Sequence, residues 1–380
     1  MVNALSEVRT SRYCIHPYFG FVCTPNSVLD FSETIVVPLD QPAIAHIDAW
    51  GFRNRDLPSQ KPDDETWIGL FGGSVAFAVA SSSNETTIAG HLEADLKARA
   101  GAARRIRVLN LALPAGQQPQ SLLIFATMVG MLDGAVIFDG VNEAIIPAYY
   151  NGSAIPVTFP YRPFYETLFA RSLTEEQRAI QWNIEDEQRA MAAGGTSLWS
   201  AWQSSRRRRR IAQLQERLKA TSPATAVLES IFPRVEGGVE DYVEAGIRNW
   251  RDCTRSMHAL ARATRTDIVS ILQPVPERQK RLTERERAHI ATQPAVIDIR
   301  ERGYAKLRAS VAELAAEGIE VLDFAGVFAD EPGDMYADIG HLNDEGCRAV
   351  ARRIAVDAVG TWACVRKGAA ARPAASKHLD

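Results

Sequence analysis

No uninterrupted apolar run in this chain of 380 residues approaches the roughly 20 residues that a membrane-crossing helix needs. Its first stretch, "MVNALSEVRTSRYC", also lacks a basic head, an apolar core and a small-residue cleavage site. The expectation is a soluble, cytoplasmic protein without a membrane span. Cysteine is scarce: Cys14, Cys23, Cys253, Cys347 and Cys364 are odd in number and scattered, without the close pairs that zinc and redox sites use. They read as isolated thiols. Neither sign of charge dominates, since 43 Lys and Arg face 46 Asp and Glu for a net charge of −3. A global drive toward nucleic acid or an anionic membrane is therefore missing, and a small or neutral substrate fits better. Nothing in the sequence sets an oligomeric state.

Cofactor signatures are missing as well. The stretch "WIGLFGGSVAFA", Trp67 to Ala78, has glycines after an apolar run but no lysine near them, so it is no phosphate-binding loop. Phe77 stands where a dinucleotide fingerprint needs its third glycine. Ala76 stands where the Gly-x-Ser-x-Gly nucleophile elbow needs its last one. No cofactor and no metal are expected.

What is present is ample apolar material, 46% of the residues, for a substantial core. Short apolar runs at Trp67 to Phe71, Ile106 to Leu111, Ala135 to Phe138, Asp267 to Leu272 and Glu320 to Phe324 alternate with helical segments. This pattern predicts an α/β fold with a parallel sheet covered on both faces. Ile88, Leu92 and Leu96 recur every fourth residue and mark a helix after the polar loop "ASSSNET". Residues 1 to 65 read as an irregular or β-rich extension packed on the core, and about 145 to 255 as a long helical insertion placed to cover a site. The insertion carries Trp182, Trp199, Trp202 and Trp250, and five consecutive arginines in "SSRRRRRIAQLQERLKA". Without aromatic interleaving or a basic surround, that run reads as a solvated helix face and not as a nucleic-acid site. Residues 366 to 380 read as a flexible tail.

Chemistry gathers at four loops. Gly72 and Gly73 permit a tight turn that presents Ser74 at the carboxyl end of a strand, although serine after glycine is also ordinary turn chemistry. A serine nucleophile needs a base, and "YADIGHLNDEG" puts Asp338 three residues before His341, beyond the last strand candidate and before a helix near Asn343. Gly116 in "NLALPAGQQPQ" and Asn142 in "VIFDGVNEA" follow the second and third strands, where a backbone N–H and a side-chain amide can stabilise an oxyanion. Arg53 and Arg55 in "GFRNRD" offer guanidinium groups to a carboxylate or phosphate, though surface arginines seldom do anything so specific.

These blocks, "GGS", "LPAGQ", "GVNE" and "DIGH" in that order, resemble those of the SGNH hydrolases, the group of GDSL-like lipases and esterases. The resemblance spans roughly residues 65 to 360 outside the insertion. It implies a flavodoxin-like three-layer α/β/α sandwich with the site at the carboxyl edge of the sheet. It also implies Ser74 as nucleophile, His341 as base and then acid, and Asp338 as the group orienting His341. The N–H groups of Ser74 and Gly116 and the Asn142 amide would form the oxyanion hole. Gly73 replaces the family's aspartate before the serine, and Glu143 the aspartate after the asparagine. Glu143, Tyr149 and Tyr150 are candidate substrate contacts. The implied function is a serine esterase acting through an acyl-serine on a small acylated carbohydrate or metabolite. An O-acyltransferase using the same triad, or a noncatalytic ligand-binding module, are the alternatives.

Overall fold

Parallel strands covered on both faces are apolar along most of their length, as the central strands Glu65–Gly72 and Gly134–Asp139 are, whereas the edge strands carry polar residues such as Arg105, Arg107 and Asp323. The computed structural model describes residues 12–149, 175–192, 198–221 and 237–367, apart from 36, 56, 59, 101–104 and 280. Two antiparallel hairpins come first, β1 (Tyr13–His16) with β2 (Gly20–Cys23) and β3 (Ser27–Asp30) with β4 (Ile44–Ile47). The main sheet consists of β5 (Glu65–Gly72), β6 (Arg105–Asn110), β7 (Gly134–Asp139), β8 (Asp267–Leu272) and β9 (Val321–Asp323). All are parallel, in the spatial order β6-β5-β7-β8-β9. This is the flavodoxin order, whose switch point falls between β5 and β7, where open α/β sheets place ligands beyond the strand carboxyl ends.

Helices α1 (Ser74–Phe77), α2 (Ile88–Ala100), α3 (Gln120–Met128) and α4 (Val141–Tyr149) fill the first crossovers. After α5 (Glu175–Ala192) and α6 (Leu198–Thr221) come α7 (Val239–Thr264), α8 (Glu284–Ile290), α9 (Pro294–Ala316), α10 (Asp344–Asp357) and α11 (Ala363–Lys367). One sheet face offers Ile68, Leu70, Val136, Phe138, Val269 and Ile271 to α2 and α10, which bring Leu92, Leu96, Val350 and Ile354. The other face is covered by α4, α7 and α9, with Val141, Trp250, Tyr304 and Leu307 around Leu272. The result is a three-layer α/β/α sandwich. Cys23, Leu29, Phe31, Ala45 and Ile47 of the N-terminal hairpins join the first of these cores.

The chain divides into two compact units, Met1–Tyr161 with Val235–Asp380, and Arg162–Arg234. In the second, α5 and α6 close on a small apolar cluster of Ile180, Ile184 and Leu214. The arginine run lies along α6, where Arg207 and Arg210 meet Glu187 at 2.8 and 3.3 Å. This unit is narrower than the expected 145–255 insertion: α7 belongs to the first unit and buries Trp250 against the sheet layer. Trp182 is exposed on α5. Residues 150–174, 193–197 and 222–236 of the expected insertion, and 368–380 of the expected tail, lie outside the described residues.

Candidate active site

The turn after β5 is built on two glycines for two different reasons. Gly72 has φ +146°, and a Cβ there would sit 2.0 Å from the Phe138 carbonyl of β7. Gly73 has an ordinary φ of −88°, but a Cβ would meet Asn142 Nδ2 at 2.2 Å and the Gly116 carbonyl at 2.8 Å. That crowding accounts for glycine at position 73: the space belongs to the Asn142 amide. Ser74 then opens α1, whose first turn closes from Phe77 N–H to the Gly73 carbonyl at 2.9 Å. Of residues 71–80, Ser74 alone is not buried.

Asp338 and His341 arrive on the loop between β9 and α10. This loop is tied to itself by the Tyr336 and Leu342 bridge and by Ala337 N–H to the His341 carbonyl at 2.7 Å. Asn343 caps α10, its Oδ1 accepting from Gly346 N–H at 2.8 Å, which fixes where the loop ends. Asp338 Oδ1 accepts from the N–H groups of Gly340 and His341 at 2.9 and 2.8 Å. Its Oδ2 lies 2.7 Å from His341 Nδ1, and His341 Nε2 lies 2.9 Å from Ser74 Oγ. A carboxylate only accepts, so Nδ1 carries the imidazole proton and Nε2 keeps the lone pair that faces the hydroxyl.

Electrostatics reinforce that assignment. Burial works to raise the Asp338 carboxyl, but the His341 charge and the hydrogen bonds from His341 and Gly340 outweigh it and bring the pKa down to about 2. Burial works to lower His341, and the Asp338 charge and hydrogen bond outweigh it, so the imidazole titrates above its ordinary value. The positive charge of Arg300 opposes this rise. Arg300 is buried beneath the loop and holds Glu277 through Nε and Nη2 at 2.5 and 2.6 Å, with Nη1 beside Gly340.

Around Gly116 and Glu143 the geometry departs from expectation in two places. Gly116 N–H donates to the Leu113 carbonyl at 2.8 Å, closing a turn in which Ala115 takes φ +56°. That N–H is therefore not free for an oxyanion. The Gly116 carbonyl instead accepts from Asn142 Nδ2 at 2.7 Å and orients the amide, leaving its second N–H available. Glu143, expected to touch substrate, is 1% exposed. Its carboxyl oxygens accept from Gln118 N–H at 2.7 Å and Gly140 N–H at 3.0 Å, so it pins the two loops that carry Gly116 and Asn142. Tyr149 ends α4; its side chain and the whole of Tyr150 lie outside the described residues.

Several polar residues at this edge were not singled out by the sequence. Asp139, at the end of β7, accepts from Trp250 Nε1 at 2.6 Å and Gln118 Nε2 at 2.8 Å. Burial raises Asp139 to about 6, and burial together with the Asp139 charge raises Glu143 to about 8. Glu286 of α8 accepts from Met335 and Tyr336 N–H at 2.7 and 3.1 Å and so holds the loop that carries His341. A lone acid inside an apolar run, as Asp139 is in "VIFDG", is the one hint the sequence offered. Among the described residues no group of three or more His, Cys, Asp or Glu is arranged to hold a metal ion, and no helix is long and apolar enough to cross a membrane.

No protein-family model and no curated protein sequence matches the chain. Similar solved structures include a lipase/acylhydrolase from Enterococcus faecalis, at 12% identity over 76% of this chain and 95% of that one, with a TM-score of 0.38. Another is a member of the lipolytic G-D-S-L family from Veillonella parvula, at 10% identity over 78% of this chain and 100% of that one, also at 0.38. A catalytic mutant of an acetylxylan esterase from Geobacillus stearothermophilus aligns at 9% identity over 79% and 95%, with a TM-score of 0.36. These are distant likenesses, and the chemistry of the site stands on its own side chains.

Proposed function

We propose that the protein is a serine esterase of the SGNH type, forming an acyl-serine at Ser74 on a small acylated substrate such as an acylated carbohydrate or metabolite. The observation that carries this reading is the unbroken hydrogen-bonded chain from Ser74 Oγ through His341 to Asp338, at 2.9 and 2.7 Å. A serine placed at the only opening of a buried turn, facing an imidazole lone pair, has what a nucleophile needs.

In this mechanism His341 Nε2 takes the Ser74 proton as Oγ attacks the ester carbonyl. The tetrahedral oxyanion is met by Ser74 N–H and by the free N–H of the Asn142 amide, with Gly116 contributing the carbonyl that aims that amide. Asp338 stays ionised and stabilises the imidazolium formed at this step. His341 then protonates the departing alkoxide, and water, activated by the same imidazole, releases the acid and restores Ser74. Hydrolysis of short-chain p-nitrophenyl esters and acetylated sugars by the purified protein tests the reading. The expected result is turnover that falls about a thousandfold or more in Ser74→Ala. Turnover unchanged by that substitution would place the chemistry elsewhere.

A further inference from the structure

The motif "GFRNRD" before β5 has no part in the chemistry above, yet the first of its two arginines is buried. Arg53 is 2% exposed and no carboxylate stands among its hydrogen-bond partners. Nε donates to Asn84 Oδ1 at 3.1 Å. Nη1 donates to the carbonyls of Phe77, at 3.4 Å, and Ala78. Nη2 donates to the carbonyls of Ile44, Ser81 and Ser83 at 2.8, 3.1 and 3.0 Å. Every nitrogen of the guanidinium is engaged within the protein, so Arg53 is no receptor for an external carboxylate or phosphate. The expectation that it might be one fails on burial alone.

Its partners point to a different task. Phe77 closes α1 and Ala78 leaves it in the left-handed region at φ +63°, one turn after Ser74. A helix of four residues has too few internal bonds to hold itself, and its last carbonyls have no helical partner. The guanidinium supplies those partners and stacks over the Phe77 ring, 5.5 Å from its centroid. A second strap runs beside it: Asn110 Nδ2 reaches the Ala76 and Phe77 carbonyls at 3.4 and 3.3 Å. Asn54 brackets Asn110, accepting its N–H at 2.8 Å and donating to its carbonyl at 3.2 Å. Asp48 accepts from Asn54 Nδ2 at 2.9 Å and from Trp50 and Phe52 N–H at 2.8 and 3.0 Å, which folds the turn that delivers Arg53.

We propose that Arg53 is a positioning residue for Ser74: from the N-terminal extension it gathers the carbonyl end of α1 and thereby fixes the opposite end, which carries the nucleophile, against His341. The proposal rests on the serine chemistry proposed above. It makes the segment from Asp48 to Asn54 part of the reacting unit.

The test uses the full-length protein and a fluorophosphonate, with adduct formation at Ser74 followed by intact mass and peptide mapping to give kinact and KI separately. In Arg53→Lys, folded by far-UV circular dichroism, kinact is expected to fall about ten- to a hundredfold while KI stays within about twofold, since small misplacements of a reacting group act on the rate. A purely structural arginine would lower the melting temperature and leave kinact of the folded protein unchanged; that result overturns the proposal. Arg55→Ala, at an exposed residue paired with Glu85, is the control and keeps the wild-type constants. Should Arg53→Lys not fold, Asn84→Ala decides: losing the Nε acceptor is expected to slow kinact about threefold at constant KI, and an unchanged kinact overturns the proposal. A folded wild-type protein that takes no label at Ser74 refutes the serine chemistry itself, and this proposal with it, which is distinct from slow labelling in a variant.

Discussion

The two walls of the site are held by opposite kinds of side chain, a buried arginine and two buried acids. Beside Ser74 a buried cation, Arg53, collects the carbonyls of Phe77 at the end of α1 and of Ala78 and Ser81 beyond it. On the oxyanion side two buried acids meet the donors of the facing loops, Glu143 the N–H groups of Gln118 and Gly140 and Asp139 the side chains of Gln118 and Trp250. Both solutions answer the same need, because loops at a sheet edge carry backbone groups that cannot be left buried and unpaired. They differ in how they respond to pH. Burial lowers Arg53 only to about 10, so it stays charged through neutrality, whereas the acids are raised to about 6 and about 8. The oxyanion wall is thus the pH-sensitive one.

Breaking the base that stands between the walls sets the largest effect. Asp338→Asn should reduce kcat by roughly 10³ to 10⁴, because the imidazole loses the partner that fixes its tautomer. Its pH profile should change as well. The wild-type acid limb of kcat/KM is expected above the ordinary histidine value of about 6.5, since His341 is raised and must be neutral to act as base. Without the Asp338 charge, burial and Arg300 remain, and the limb of Asp338→Asn should move to lower pH. A limb that stays in place would detach it from His341.

Next in size, Asn142→Ala removes the one side chain on the oxyanion wall assigned to the reacting oxygen, and kcat should fall about a hundred- to a thousandfold with little change in KM. That loss should exceed the one from Arg53→Lys; the reverse order would mean that the nucleophile wall governs the rate.

The smallest effect is on stability. Glu143 and Asp139 hold their protons more tightly in the native state than in the unfolded chain. Their contribution is therefore full below the ordinary carboxyl range and declines as pH rises, until Glu143 ionises near 8. Melting temperature should drop by several degrees between pH 5 and 9. His341, also raised, pulls the same way, and the difference between wild type and Glu143→Gln isolates the share of Glu143. Identical slopes in the two proteins would remove the acid pair from this comparison.

How much of this was legible follows the same division. The strands announced themselves by apolar runs, most plainly at the central β5 and β7, and Ser74, Asn142 and His341 stood out by the turns that end or follow the strands, because both signals are local. The residues that hold those turns are not local. Arg53 reaches carbonyls 24 to 30 positions along the chain and looked like one more surface arginine. Glu143 stood beside Asn142 in sequence and looked like a substrate contact, but helix geometry turns it into the core, where its partners are the N–H groups of Gln118 and Gly140. Gly116 was legible as a tight loop glycine, whereas the direction of its N–H depends on the turn set by Ala115, which composition does not reveal.

The most direct measurement is intact mass of the wild-type protein after exposure to a fluorophosphonate, with peptide mapping and Ser74→Ala alongside. One adduct per chain, located on Ser74 and absent from the variant, is the expected result. A folded protein that takes no adduct, or takes it on another residue, would contradict the assignment of Ser74 as the nucleophile.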